Sequence, residues 1–248
     1  MTSREAAKYY WNAMKDKPPK EKLRYLLGAY WGYLAVGIVI LAVIIGLATG
    51  IAGRKEQALV VYCLNALEND ASGQSLSEDF LENLSLDPEK YDASLLAMGY
   101  PTEENQISSA SGELQAFYTR LMANEVDVIA AGRTVQEALV PHYCQTDLRE
   151  VFSGEELAVW ADYLVYADGE ALRACWSSED TTPVAVTFLD SPEGMADPIP
   201  VALKLPDNSP LKMAFTFQYG EVLISLTQVT ARRDNAESFL RYAMGVSG

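Results

Sequence analysis

At 248 residues, 49% of them hydrophobic, the chain has enough apolar surface for a packed core, which excludes a wholly disordered protein. Its net charge of −15 is unevenly placed: residues 1–55 hold nine Lys or Arg against three acids, and residues 56–248 hold ten against thirty-one, so +6 faces −21. A domain that acidic repels phosphate backbones, and nucleic acid is not an expected partner.

In chain order, the stretch TSREAAKYYWNAMKDKPPK predicts a short helix, opened by Thr2 with Glu5 three residues on and stopped by Pro18 and Pro19. Residues 1–24 form a basic segment with seven Lys or Arg. Residues 25–53, YLLGAYWGYLAVGIVILAVIIGLATGIAG, contain no charged side chain and exceed the roughly 20 residues that cross a bilayer core of about 30 Å. A transmembrane helix is predicted there, since the apolar core of a cleavable signal peptide is usually only about 7 to 15 residues long. The charge bias keeps the N-terminus cytoplasmic and puts residues 57–248 outside the cytoplasmic membrane, anchored by a single pass. Gly28 and Gly32, and again Gly46 and Gly50, have the GxxxG spacing of helix pairs, so a homodimer through this segment is one reading and ordinary glycine usage the other.

In the outer region, ALVVYC (58–63) predicts a buried strand, LSEDFLENL a helix capped by Ser75 and Glu78, and SLLAMGY a second strand. GELQAFYTRLMAN predicts an amphipathic helix with Leu114, Phe117, Leu121 and Met122 in one stripe, and VDVIAAG a short strand after a turn at Asn124 and Glu125. Helix, short turn and apolar strand make half of a parallel α/β unit. Asp127, at the start of that strand, is expected to be structural and hydrogen-bonded to nearby backbone. Thr134 and Glu137 predict a cap for TVQEALV, DLREVFSGEELAVW reads as helical with a capping box at Ser153 and Glu156, and YLVYADGEALRACW reads as a hairpin across Asp168 and Gly169. PVAVTFLD, PVALKL, KMAFTF and EVLISL read as strands with a turn at Tyr219 and Gly220, and NAESFLRYAMG as a closing helix capped by Asp234 and Glu237.

Catalytic sets are sparse. The one histidine, His142, removes hydrolase designs that need a His base beside a nucleophile, and His142 with Cys144 does not make a closed metal site. Ser209 to Lys212 spells Ser-x-x-Lys, but the companion motifs of penicillin-binding enzymes are missing and Pro210 argues for a loop. Cys63, Cys144 and Cys175 are too few for a disulfide framework; either Cys144 bridges Cys175 or the thiols are buried and free. No catalytic residue, cofactor or metal is expected. In an open α/β sheet, ligands bind beyond the carboxyl ends of strands, where helix N-termini favour anions. That rule points to Gly132, Arg133 and Thr134 after one strand, with Asp190 and Ser191 after another, as a ligand-binding end, with Arg133 aimed at an anion. The plainer reading has Arg133 paired with Glu137 on the helix surface.

Three segments carry a family resemblance. FYTRLMANEVDVIAAG is similar to a helix leading into a strand with an early Asp, TDLREVFSGEEL to the loop and helix that follow, and LISLTQVTARRDNAESFLRYAMG to a strand and a helix packing Phe239 and Leu240. Together they resemble the type 2 periplasmic-binding fold of extracytoplasmic solute-binding proteins, over residues 57–246. This chain is markedly shorter than usual members and has an apolar anchor instead of a lipid-modified Cys. The resemblance implies a reduced, bilobed α/β domain that binds a small solute or a protein without catalysis. The alternative is an assembly or regulatory subunit of a membrane complex that uses the same fold without a ligand.

Overall fold

The computed structural model describes residues 8–9, 12, 15, 17–52, 55–70, 72–102, 112–142, 145–177, 185–218, 220–228 and 230–245. The predicted helix before Pro18, Cys144, and the predicted turn residue Tyr219 lie wholly or mostly outside them. The chain divides into two compact units, Met1–Arg54 and Lys55–Gly248.

The first unit contains helix α1, Pro19–Ala52, which is 34 residues long with Pro at its first position, where the missing N–H costs nothing. Its Val36, Ile38, Val39, Ile40, Leu41, Val43 and Ile44 are exposed. The longest uninterrupted run of described side chains in it spans 35–46. Among the described residues no helix is long and apolar enough to cross a membrane.

The second unit is built on a six-stranded sheet in the order β3-β1-β4-β8-β6-β5, from β1 (Glu56–Leu64), β3 (Tyr91–Met98), β4 (Val128–Ala131), β5 (Leu164–Asp168), β6 (Pro198–Lys204) and β8 (Leu223–Leu226). β1 runs parallel to both β3 and β4, whereas β8, β6 and β5 continue the sheet antiparallel to their neighbours. A small second sheet pairs β2 (Ala66–Glu68) with β7 (Phe215–Phe217). The fold is α/β, the predicted class. Within Lys55–Gly248 the expected two lobes are one compact unit, because β8 returns beside β4 and joins the early and late strands in one sheet.

Strand β1 shows why the sheet is buried on both faces. Leu59, Val61 and Cys63 point into one apolar cluster and Val60, Tyr62 and Leu64 into another, the period-2 alternation of a strand covered twice. The first face is covered by α2 (Ser72–Asn83) through Leu76, Phe80 and Leu81, and by α8 (Arg233–Ala243) through Ala236, Phe239, Leu240 and Ala243. The other face is covered by α3 (Gly112–Met122) through Leu114, Phe117 and Leu121, and by α4 (Arg133–Ala138) with the Leu139 beyond it. Met122, predicted in the α3 stripe, is exposed instead, because the helix ends there. Asn124 takes the left-handed backbone (φ 59°) and Glu125 N donates to Arg120 O at 2.9 Å, a close that turns the chain into β4.

The acid at the head of β4 is fully buried and structural, as expected, although its partners reach further than the nearby backbone. Asp127 Oδ2 accepts from Val60 N at 2.7 Å and from Arg232 Nε at 2.8 Å, and Oδ1 accepts from the Thr230 hydroxyl. Arg232 also donates to Glu125 O at 2.7 Å, so the chain leaving β8 is tied to the head of β4 by charge.

Several predicted elements are corrected. The Asp168–Gly169 pair does not turn a hairpin: Asp168 ends β5 and its Oδ1 accepts from Glu170 N at 2.8 Å, which starts α6 (Gly169–Ser177). PVAVTFLD forms no full strand among its described residues, only a bridge from Leu189 to Tyr166. KMAFTF divides into α7 (Pro210–Ala214) and β7, because Ser209 caps a helix with Pro in its first turn. Ser209 therefore does stand at a helix start, yet it is buried and its hydroxyl donates to Ala243 O at 2.7 Å. Helix α2 begins at Ser72, three residues before the predicted cap, and the residue capping α8 is Arg232, not Asp234. DLREVFSGEELAVW is broken into a 3₁₀ turn at Leu148–Glu150 and α5 (Gly154–Val159). The capping box before α5 forms as predicted, with Ser153 N donating to Glu156 Oε2 at 3.0 Å and Glu156 N to Ser153 Oγ at 3.2 Å.

Candidate functional site

The predicted ligand end lies beyond the carboxyl end of β4. Gly132 is the N-cap of α4, with extended backbone and no side-chain cap, so Thr134 sits inside the first turn and is exposed. The predicted Thr134–Glu137 cap is absent because the chain has already turned at Gly132; Glu137 Oε1 accepts from Phe188 N at 2.7 Å instead. Arg133 and Asp190 do come together, but they bind each other. Arg133 Nε also donates to Glu221 Oε1 at 2.8 Å and Nη1 to Phe188 O at 2.7 Å. Lys204 Nζ lies 2.8 Å from Asp190 Oδ2 and 3.8 Å from Glu221 Oε2, closing a four-charge cluster. The Lys204 hydrogen bond, opposed by burial and backed by Arg133, holds the Asp190 carboxyl below the usual carboxylate range. Ser191 turns its hydroxyl to the Glu193 N–H at 3.2 Å. Two cations and two carboxylates neutralise one another here, and a six-residue helix adds little dipole. The plainer surface pairing of Arg133 with Glu137 is likewise not made.

The opposite end of the sheet is different. Beyond the carboxyl ends of β5 and β8 lies a pocket of about 230 Å³, walled by Gly169, Leu172, Arg173 and Trp176 of α6, by Gln228 after β8, and by Ile199 and Val201 of β6. Asp197 and the segment 145–150 supply the rest, the latter through Gln145, Thr146, Asp147, Arg149 and Glu150. Both cations are paired on the walls, with Arg149 Nη2 2.7 Å from Asp147 Oδ2 and Arg173 Nη2 2.8 Å from Asp197 Oδ2. Trp176 is held by Nε1 donating to Val140 O at 2.9 Å. Gly169 packs closely: a Cβ there would come within 2.5 Å of Ile199 Cδ1 and press on the Asp197 carboxylate, so the ends of both side chains would have to shift.

Two side chains of this pocket are neither charged nor satisfied. Gln145 is fully buried; its Nε2 donates to Gln136 O at 3.0 Å, and among the described residues its Oε1 has no hydrogen-bond partner. Thr146 is 2% exposed, and among the described residues its hydroxyl has no partner either. Behind them the polar groups are paired: Gln136 Nε2 donates to Ile129 O at 2.9 Å, and Ser225 Oγ to Gln136 Oε1 at 2.9 Å. Most buried polar groups in proteins are hydrogen-bonded, and an unmade bond costs about 1–3 kcal/mol. Asn65 Nδ2 and Trp160 Nε1 are single exceptions elsewhere, whereas Gln145 and Thr146 are adjacent and belong to the wall of one pocket, which makes it the candidate site.

Sequence reasoning passed over this pocket because Gln145 and Thr146 stand in a loop-like run, where polar side chains are expected in water. The remaining candidates are elsewhere or inert. Cys63 and Cys175 are buried free thiols, with burial the leading cause that pushes both up from the ordinary thiol range. Burial holds His142 below the usual imidazole value beside the Tyr118 ring, 4.8 Å away. Among the described residues, no group of three His, Cys, Asp or Glu side chains is placed to hold a metal ion.

No family model matches the chain, and no curated protein matches it. Among solved structures, it is similar to the N-glycan transport solute binding protein (NgtS) from Streptococcus pneumoniae in complex with Man1GlcNAc, at 10% sequence identity and a TM-score of 0.26. The match covers 51% of this chain and 31% of that one, so it spans about a third of the solute-binding protein. At this TM-score the likeness does not establish a common fold.

Proposed function

We propose that the chain is a membrane-anchored, extracytoplasmic, non-catalytic module that recognises a small solute in the pocket between α6, β6 and the loop 145–150. The observation that supports this reading is that two adjacent residues of the pocket wall, Gln145 and Thr146, each keep a buried polar atom without a hydrogen-bond partner among the described residues. A solute whose entry drew either atom into a hydrogen bond would recover free energy the fold alone leaves unmade. The anchor is supported by the charge-free residues 25–53, the basic segment before them, and the continuous helix α1. Two copies pair through α1 in this reading, where among the described residues a Cβ on Gly28, Gly32 or Gly46 would meet no atom within 4 Å beyond the nearby backbone of its own helix; Gly50 extends the sequence pattern.

The assembly or regulatory subunit is favoured by a different observation, the closure of the Arg133 end by its own ion pairs. The two readings separate on one experiment. The full chain in detergent, titrated with fractions of a small-metabolite extract, should show a saturable rise in melting temperature. A chain whose melting no fraction shifts is the regulatory subunit, and the solute reading fails. Protease added to intact cells checks the topology, and should remove residues 57–248.

A further inference from the structure

The central sheet has two edges, β5 and β3, and they are finished differently. On the outer side of β5, Tyr166 exchanges backbone hydrogen bonds with Leu189, its N–H donating at 2.8 Å and its carbonyl accepting at 2.9 Å. Beyond β3 there is no further strand among the described residues.

The pairing with β1 decides which backbone groups β3 leaves open. Asn65 N donates to Met98 O at 2.7 Å and Gln57 Nε2 to Asp92 O at 3.1 Å, so the even-numbered residues of β3 turn their backbone groups toward β1. Ala93, Leu95 and Ala97 therefore turn theirs outward. The Ser77 hydroxyl of α2 agrees, since it donates to Ala93 O. What stays open among the described residues is the Ala93 N–H and both backbone groups of Leu95 and of Ala97. The usual guards of an edge are missing: β3 has no Pro and no Lys, and its one acid, Asp92, is held by Gln57 of β1 and by Ser94 Oγ at 2.9 Å. Apolar surface reaches the same rim on both faces, where Leu95 packs on one cluster and Leu96 on the other, each only half-buried.

We propose that this edge receives a strand from a protein partner, an extended segment that is apolar at its centre and basic at one end. The basic end is set by a groove of about 990 Å³ at the start of β3, formed by α2 and the turn that follows it, with Glu78, Asp79, Glu82 and Glu89 on its walls against Lys55. Tyr91 N donates to Asp87 O at 2.9 Å, which ties that turn to the strand, and Lys90 is already held by Asp87 at 3.3 Å. A second copy would set two domains of −21 against each other, whereas a basic segment brings the opposite sign. Backbone pairing supplies affinity in such a complex, and the apolar rim and the acidic groove select the sequence.

The full chain in detergent is titrated into a fluorescent peptide with a Val-Ile-Val centre and lysines at both ends, and followed by anisotropy. One control has the same centre flanked by glutamates. The other is the lysine peptide N-methylated at every amide of its centre, which keeps its charge but cannot complete a ladder. The lysine peptide should bind saturably, less tightly as salt rises, and at least about tenfold more tightly than either control. Ala97→Lys, at an exposed position, should weaken it about tenfold by placing a cation on the edge. Leu95→Pro removes only an outward N–H and should abolish binding while the melt stays cooperative; if that variant does not fold, Ala97→Lys decides alone. Absence of binding, equal binding of the methylated peptide, or undiminished binding by Ala97→Lys would overturn the edge. Equal binding of the glutamate peptide would overturn the basic partner. A chain that ignores the peptide and self-associates until Ala97→Lys disrupts it would put a second copy in the partner's place. The pocket reading stands in every case, because it rests on other residues.

Discussion

The two ends of the central sheet handle buried polar groups in opposite ways. Beyond β4, Arg133, Lys204, Asp190 and Glu221 are conspicuous charges that satisfy one another. Beyond β5 and β8, two adjacent neutral side chains carry no charge to draw attention, yet each keeps an unsatisfied atom among the described residues, as Asn65 and Trp160 do singly elsewhere. Charge in a sequence shows where an interaction is strong; it does not show whether the partner comes from inside the chain. Two unpaired neutral groups side by side in one pocket wall are the better sign of a ligand, because buried polar groups are usually paired.

This contrast can be broken at four places, from the largest effect down. Asp127 sets the scale for a charge that is purely structural: Asp127→Ala removes the carboxylate that Arg232, Thr230 and Val60 N share, and should cost about 3 kcal/mol in urea unfolding. A loss below about 1 kcal/mol would mean that the buried pair does not tie β8 to β4. Arg133→Ala should cost about 1–2 kcal/mol, since the side chain is only partly exposed and loses three charge-assisted partners, but it should leave solute binding unchanged. Weakened binding in that variant would move the site back to the end the sequence favoured.

Glu156 offers a pH test on a charge that belongs to neither end. The Arg241 hydrogen bond at 2.8 Å, together with the Ser153 N–H and hydroxyl, pulls its carboxyl from an ordinary value near 4.5 to about 2. A depressed carboxyl stabilises the fold above its unfolded value and loses that contribution as pH falls from about 4.5 toward 2. Glu156→Gln should flatten that part of the stability profile, by less than about 1 kcal/mol because the group is largely solvated. An unchanged slope between parent and variant would contradict the assignment. The smallest effect has the opposite sign: Thr146→Val should stabilise the unliganded chain by about 0.5 kcal/mol, and a loss above about 1 kcal/mol would reveal a structural role for the hydroxyl.

What the sequence made legible was local. The alternation in ALVVYC, the stripe of Leu114, Phe117 and Leu121, and the Ser153–Glu156 box each act within a few residues, and each appears as expected. The misreadings share a physical cause: one dipeptide or cap pattern serves two structures. Asp168–Gly169 turns a hairpin when a strand follows it and starts a helix when its carboxylate can accept from Glu170 N, and only the tertiary surroundings decide. Distance in the chain hid the rest. Arg232 is 105 positions from Asp127, and Glu221 is 88 from Arg133, so neither pairing has a spacing to read. Gln145 and Thr146 look like solvated loop residues until the fold buries them, Gln145 with its Nε2 on Gln136 O.

The most direct test of the contrast is a titration of isotope-labelled full chain with a metabolite fraction that raises its melting temperature, followed by amide and indole resonances. The account predicts that shifts cluster at Gln145, Thr146, Gly169 and the Trp176 indole, with Gly132, Arg133 and Thr134 unmoved. Shifts centred on Gly132–Thr134, or no saturable shift at the Gln145 side-chain amide, would contradict it.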